Sequence, residues 1–173
     1  MKKQTWLIPL TLICIISVSI NIFLVVSYNN SKNLFVFDIF SHLINISKCL
    51  DNIANTVSND DLDYTLSALE KECIQLDSAI NGLCTLSSVD LPVNNYEDFS
   101  KKTISSIKLN INNYSGEEVT KDINLHKEDI EELIKMLSPN NEINYDYPNS
   151  SATPNYSLSV KRVISLIIKH TPN

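Results

Sequence analysis

A heptad pattern of apolar residues between Val36 and Leu83 constrains the fold more than any other feature of this sequence. Apolar or small residues recur in alternating steps of four and three, on both sides of a polar break at Ser58–Asp61. A 3.5-residue period kept for three heptads on each side predicts two antiparallel helices joined by a short turn. The first helix presents Val36, Phe40, Leu43, Ser47, Leu50, Ala54 and Val57, and the second presents Leu62, Leu66, Leu69, Cys73, Leu76, Ile80 and Leu83. We expect the core of this hairpin to consist of Phe40, Leu43, Leu50, Leu66, Leu69, Cys73, Leu76 and Ile80.

Two further helices follow from the same kind of spacing. Residues 95–114 carry a weaker stripe that includes Ile104, Ile107 and Ile111. Ser115 followed three residues later by Glu118 is a capping box, and an apolar pattern with four-three spacing continues from it to Leu137. Four amphipathic segments with short connections predict an all-α domain over residues 33–138, arranged as an up-down-up-down four-helix bundle.

An uncharged apolar segment precedes this domain. Residues 6–28 contain no charged side chain and are bounded by Trp6 and Tyr28. A helix of that length covers about 34 Å, enough for the roughly 30 Å hydrocarbon core of a bilayer. We expect a transmembrane signal-anchor helix with residues 1–5 in the cytoplasm, because Lys2 and Lys3 precede the segment. A cleaved signal peptide that yields a secreted protein is the alternative, with Ser17–Ser19 as its cleavage region.

The remaining segments differ in composition. Asn29–Asn33 is a polar joint, after which the first helix of the domain is expected from about Leu34 to Val57. Residues 139–156 are rich in Asn, Ser, Pro and Tyr, which predicts a polar linker. Residues 157–173 form a short basic amphipathic segment. It has two interpretations: it lies on the outer lipid surface, or it packs on the bundle as a fifth helix or a strand.

Composition argues against several classes of function. The sequence contains only two glycines, so neither a phosphate-binding loop nor a dinucleotide-binding turn can be assembled. The net charge of −6 gives no support for nucleic-acid binding, which needs clustered Lys and Arg. No metalloprotease, serine-hydrolase or Cys-x-x-Cys motif occurs in the sequence. We therefore expect no catalytic residues, no cofactor and no nucleic-acid partner.

The cysteines are the first candidate site. In the hairpin register that pairs Val57 with Leu62, Ser47 lies opposite Cys73, which is then a small apolar core residue. Cys49 lies about 200° around the helix from that seam, so a Cys49–Cys73 disulfide is geometrically doubtful. Three cysteines follow the apolar segment, so at least one thiol is free or pairs between molecules. Cys49, expected to be exposed, is the candidate for an intermolecular disulfide.

Two groups of residues have the sequence spacing of metal ligands, but each lacks a feature that a metal site requires. His126 shares a helix face with Asp122 and Asp129, but a metal site needs three or four ligands. We interpret His126 as a seam histidine whose ring bonds to a neighbouring side chain. Asp61, Asp63 and Glu72 match part of a calcium-loop spacing, but Leu66 stands where the sharp turn requires Gly. We therefore predict no metal site.

The sequence favours a single-pass, membrane-anchored protein with an extracytoplasmic helical domain. Its expected role is an interaction or structural module whose partners are the lipid bilayer and either another protein or a second copy. The alternative is an accessory domain that senses an unidentified ligand and acts through a partner membrane protein. An enzyme is the third hypothesis, and no residue pattern supports it.

Overall fold

A computed structural model describes residues 7–56, 62–89, 99–113, 116–139 and 154–170. These residues form five α-helices and contain no strand. The helices are α1 (Leu7–Thr56), α2 (Leu62–Ser87), α3 (Phe99–Asn113), α4 (Gly116–Leu137) and α5 (Val160–His170). The predicted all-α class is confirmed. Outside the described residues lie the seam position Val57, the polar break at Ser58–Asp61, the capping residue Ser115, and residues 95–98 and 114 of the predicted third helix.

Helix α1 runs without interruption through the segment expected to be a joint. The chain is helical from Leu7 to Thr56, 50 residues in all, so the predicted break at Asn29–Asn33 is wrong. The segment contains neither Gly nor Pro, and Asn and Ser each cost a helix only a few tenths of a kcal/mol. Side-chain contacts at both ends of the segment also hold it. Tyr28 Oη donates to Ser87 Oγ (3.4 Å), and Lys32 Nζ donates to the Tyr156 carbonyl (2.9 Å).

The N-terminal half of α1 is apolar and uncovered. Large hydrophobic side chains between Leu12 and Val26 are 50% to 71% exposed. Among the described helices, α1 is the one that is long and apolar enough to cross a membrane, with a mean hydropathy of 2.2 over its most apolar 18 residues. A signal sequence near the N-terminus has the same properties. The apolar segment is therefore compatible with both of the predicted alternatives, an anchor and a signal peptide.

The C-terminal half of α1 packs against α2 and α4, and α3 also packs against α2 and α4. Side-chain contacts give the relative directions of these helices. Helices α1 and α2 are antiparallel, since Tyr28 contacts Ser87 while His42 contacts Glu72. Helices α1 and α4 are also antiparallel, since Ser47 contacts Glu131 while Asp51 contacts Lys127. Helices α2 and α3 are antiparallel as well, since Asp77 contacts Phe99 while Glu70 contacts Lys108.

The core is wider than the single seam in the sequence pattern. The eight predicted hairpin residues, Phe40, Leu43, Leu50, Leu66, Leu69, Cys73, Leu76 and Ile80, are all buried. The pattern missed Ile39, Ile46 and Ile53, each 0% exposed, which follow one another at intervals of seven on α1. A helix that packs against two neighbours needs a broader apolar face than a coiled-coil seam provides. Ser47, expected opposite Cys73, bonds instead to Glu131 of α4, 3.4 Å away.

Helix α5 resolves the two interpretations of the C-terminal segment. It packs against α4 and α2, and it buries Val160, Val163, Ile164, Leu166 and Ile167. A strand, and a helix whose apolar side lies on lipid, are both excluded for these residues. The turn before α5 is fixed to the end of α4, because Asn155 N–H donates to the Leu137 carbonyl (2.7 Å). The rest of the predicted linker, residues 140–153, lies outside the described residues.

Candidate functional site

A buried carboxylate joins α2 to the start of α3. Asp77 is only 7% exposed, and its two carboxylate oxygens accept hydrogen bonds from the backbone N–H groups of Phe99 (2.9 Å) and Ser100 (3.0 Å). The first N–H groups of a helix have no partner within the helix, and a negative charge there also meets the positive end of the helix dipole. Asp77 therefore caps α3 from a neighbouring helix. The heptad pattern does not identify this residue.

A polar cluster lies on one side of the α1–α2 pair. Glu72 accepts from the Asn45 amide nitrogen (3.2 Å) and lies 2.8 Å from His42 Nδ1. The His42 and Glu72 side chains are 21% and 20% exposed, so water reaches this pair. The cluster links two helices by side-chain bonds, and it contains no nucleophile activated by a base.

The four cysteines are all free thiols. Cys73 is buried as predicted, with 0% exposure, and Cys84 is buried at 7%. Cys49, expected to be exposed, is half-buried and packs against the hydrophobic core. That expectation was wrong because the arc of α1 that packs against its neighbours is broader than one seam. The intermolecular disulfide through Cys49 stays a prediction, and forming it would require this thiol to leave its contacts with the core.

Burial also makes the three thiols that follow the apolar segment less reactive. It raises the pKa values of Cys49, Cys73 and Cys84, and the charge of Glu72 raises the pKa of Cys49 further. Asp77 adds to the effect of burial on the pKa of Cys73. The thiolate is the nucleophilic form of cysteine, so these environments are the opposite of those that activate catalytic cysteines.

The order of thiol reactivity tests this arrangement. In native protein carrying Cys14→Ser, we expect maleimide to modify Cys49 first and Cys73 last, since Cys73 is 0% exposed. Modification of Cys73 needs an opening of the core, so its rate is expected to fall about 1,000-fold or more relative to the denatured chain. Mass spectrometry of quenched time points measures each site. Equal rates at Cys49 and Cys73 in the native protein would contradict the deeper burial of Cys73.

Charged groups connect α1 to α4. Lys127 Nζ lies 2.6 Å from Asp51 Oδ1 on α1 and 3.8 Å from Glu131 Oε1 on its own helix. The hydrogen bond to Asp51 is the main reason that the pKa of Lys127 is raised above its ordinary value. Glu131 also accepts from Ser47 Oγ (3.4 Å). These groups border the α1–α4 contact and hold the two helices in one register.

Lys127 should give the protein a small, pH-dependent increment of stability. Its side chain is 27% exposed and that of Asp51 is 54% exposed, so Lys127→Met should lower the free energy of unfolding by only about 0.5–1 kcal/mol. A raised lysine pKa stabilises the fold fully below the ordinary value of 10.5, and this contribution declines above that value and is lost as the pH rises through the raised pKa. Urea denaturation of wild type and variant at pH 8 and pH 11 measures the difference. Lys121→Met, at an exposed position of α4, is the control, and an undiminished Lys127 effect at pH 11 would contradict the assignment.

His126 occupies the position expected of a seam histidine. Its Nε2 lies 3.1 Å from Ser106 Oγ on α3 and 3.5 Å from Asp122 on its own helix. The ring therefore bonds to a neighbouring side chain and links α3 to α4. In the described part of the chain, no three His, Cys, Asp or Glu side chains lie close enough together to hold a metal ion.

A surface groove lies between α2 and α3. Its volume is about 380 Å³, which falls in the size range of small-molecule sites. The lining combines apolar side chains with charged and hydroxyl groups, and Lys108 and Glu70 form an ion pair across it at 3.2 Å. The residues that line it are Glu70, Ile74, Ser100, Lys101, Ile104, Ser105 and Lys108.

The groups described above serve mainly to join helices. The sequence-based predictions did not include Asp77 or Lys127, and they considered Glu72 only for its calcium-loop spacing. Each of the three connects its own helix to another. Asp77 had a detectable signal, since it lies four residues after Cys73 and three before Ile80, within the buried arc of α2. Comparison of the chain with protein families, curated proteins and solved structures returns no match.

Proposed function

We propose that this chain is a single-pass membrane protein whose extracytoplasmic helices form an interaction or structural module. The observation that carries the proposal is the two-part character of α1. Its N-terminal half is apolar and exposed, and its C-terminal half, from Val36 onward, is built into the core with α2 and α4. One helix thus belongs to both the anchor and the folded domain.

Exposed apolar surface is the argument for the anchor. Soluble monomers rarely expose contiguous apolar patches larger than a few hundred Å². Between Leu12 and Val26 large apolar side chains are at least half exposed on all sides of the helix, so no single protein groove would cover them. A bilayer covers such a helix around its full circumference. The lysines at positions 2 and 3 support a cytoplasmic N-terminus.

The pairwise contacts support a four-helix bundle as the architecture of the domain. Helices α1 and α3 each contact both α2 and α4. The pairs α1–α2, α1–α4 and α2–α3 each have side-chain contacts at two positions along the helices, and these contacts make each pair antiparallel. An up-down-up-down arrangement accounts for all of these contacts. The buried polar groups link helices to one another, so the exposed surface is left as the place where partners bind.

Fractionation and crosslinking test this proposal. We expect the full-length protein to stay with membranes after alkaline extraction, with a mass that retains residues 1–28. Crosslinking in the native membrane should capture either a second copy or a partner protein. Release of a shortened, soluble chain would support the signal-peptide alternative, and a monomer without partners would contradict the interaction module.

The groove between α2 and α3 supports a second candidate function, a ligand-sensing accessory domain. Its volume of about 380 Å³ and its mixture of Ile104, Lys101 and Ser105 suit a small amphipathic molecule. Such an accessory domain would pass its signal to a partner membrane protein.

Thermal shift measurements distinguish this second candidate from the first. A ligand that binds only the folded state raises the melting temperature as its concentration rises. In a screen of small molecules, a stabilising compound should lose its effect in Ser105→Leu, which fills the groove. Ser165→Leu, at an exposed position of α5 that does not line the groove, is the control and should leave the shift unchanged. No stabilising compound, or a shift unaffected by Ser105→Leu, would count against sensing through this groove.

A further inference from the structure

We propose that Lys32, Tyr156, Lys161 and Arg162 form a headgroup surface, by which the domain binds the anionic phospholipid headgroups of the bilayer that holds α1. The inference rests on the proposed membrane anchor. It assigns a second contact with the membrane, separate from the apolar helix, to a part of the chain more than 120 residues away in sequence.

The height of these residues above the hydrocarbon follows from α1. Tyr28 ends the uncharged segment, and Lys32 lies one turn later in the same unbroken helix, about 6 Å further along its axis. The polar layer of a bilayer leaflet is about 5–8 Å deep, so Lys32 lies at the level of the headgroups. Its Nζ donates to the Tyr156 carbonyl at 2.9 Å, so the turn before α5 lies within the reach of one lysine side chain from this level.

The turn continues directly into the cationic start of α5. The Asn155 N–H donates to the Leu137 carbonyl (2.7 Å), which fixes the turn to the end of α4. Ser159 directly precedes α5, and its carbonyl accepts hydrogen bonds from the backbone N–H groups of Arg162 and Val163. Lys161 and Arg162 are exposed, and neither side chain forms an ion pair with a described residue. Tyr156 is 36% exposed, and tyrosine is enriched at the level of lipid headgroups.

The positive charge of the headgroup surface indicates that its ligand is anionic. The chain has a net charge of −6, yet residues 1–37 and 154–170 contain no Asp or Glu, and the second range contains Lys161, Arg162 and Lys169. Cations near a membrane surface are attracted to anionic lipids, and arginine binds phosphate through paired N–H groups. The apolar side of α5 is buried against α4 and α2 and is not available to lipid. The headgroup surface therefore binds through charge, with α5 anchored in the protein.

Fluorescence quenching in vesicles tests the proposal on the full-length protein. Trp6, the only tryptophan, is changed to Phe, and a single Trp replaces either Tyr156 or Tyr64. Tyr64 is 81% exposed and lies near the opposite end of α2 from Ser87, about 35 Å away along that helix. With a nitroxide on the lipid headgroup in phosphatidylglycerol vesicles, we expect several-fold stronger quenching of Tyr156→Trp than of Tyr64→Trp. In phosphatidylcholine vesicles the quenching of Tyr156→Trp should fall.

Charge variants complete the test. In the Tyr156→Trp protein, Lys161→Gln with Arg162→Gln should reduce the headgroup-bound population about tenfold and remove the dependence on lipid charge. Lys71→Gln with Lys121→Gln, an equal charge change at two exposed positions, should leave both unchanged. Lys71 lies about 24 Å along α2 from Ser87, and Lys121 lies beyond Lys127 on α4, so both are far from the bilayer. Equal quenching at positions 156 and 64, or no effect of lipid charge in protein that floats with the vesicles, would overturn the headgroup surface alone. Failure to float with vesicles would overturn the anchor and this surface with it.

Discussion

Replacing Asp77 with alanine is expected to lower the free energy of unfolding by about 2–3 kcal/mol, because two hydrogen bonds to a carboxylate are lost at once. The N–H groups of Phe99 and Ser100 would be left without these acceptors, and Phe99 itself is 0% exposed. In Asp77→Asn the amide oxygen still accepts one of the two hydrogen bonds, but the amide NH₂ group, a donor, faces the second backbone N–H. We expect an intermediate loss of about 1–2 kcal/mol for this variant.

Chemical denaturation of the purified full-length protein, followed by circular dichroism, measures these losses. Asp129→Ala is the matched control, because Asp129 is an exposed aspartate on α4. Its removal changes the net charge by the same amount and should alter stability by no more than about 0.5 kcal/mol. Hydrogen exchange should also show that Asp77→Ala loosens the start of α3 before other regions. Similar losses for Asp77→Ala and Asp129→Ala would mean that the interhelical cap contributes little.

The second large effect concerns Gly82, where α2 meets the Phe35 ring of α1. A Cβ atom added at Gly82 would lie 2.7 Å from Phe35 Cζ, closer than two carbon atoms can pack. Alanine is favoured over glycine in a helix by about 1 kcal/mol, but the ring must move to accommodate it. We expect Gly82→Ala to destabilise the protein by about 1–2 kcal/mol in spite of the better helix propensity.

A double-mutant cycle isolates this contact. Phe35→Ala removes the ring, so Gly82→Ala in that background should stabilise by about 0.5–1 kcal/mol, as in an open helix. The effect of one substitution thus changes sign with the presence of the other residue. Ser78→Ala, one turn earlier and exposed on α2, should behave alike in both backgrounds. A Gly82→Ala effect independent of Phe35 would show that the ring yields without cost.

The sequence was most informative where one apolar stripe met one neighbouring helix. Helices α2 and α4 end at Ser87 and Leu137 as expected, since their stripes are regular and polar residues follow. It was least informative for α1, which packs against two helices and buries Ile39, Ile46 and Ile53 outside the predicted seam. A heptad pattern identifies one contact face of a helix, and further buried positions depend on how many helices surround it.

The polar contacts could not be derived from spacing, because each depends on how separate helices meet. Asp77 and Phe99 are 22 residues apart, and Lys127 and Asp51 are 76 apart, so their pairing needs the tertiary arrangement. The continuity of α1 was missed for a different reason. A run of Asn and Ser resembles a joint by composition, but only Gly, Pro or the absence of supporting contacts would end a helix there.

The unbroken α1 makes the number of residues between Tyr28 and Lys32 as important as their identity. Each residue added or removed there would rotate the apolar half by about 100° relative to the domain and shift it by about 1.5 Å. Through a flexible joint such a change would have no effect on orientation. In this protein it would displace Tyr28 from Ser87, and a change of whole helical turns would restore the angle. The number of residues in this segment therefore determines which side of the apolar helix lies beneath each face of the domain.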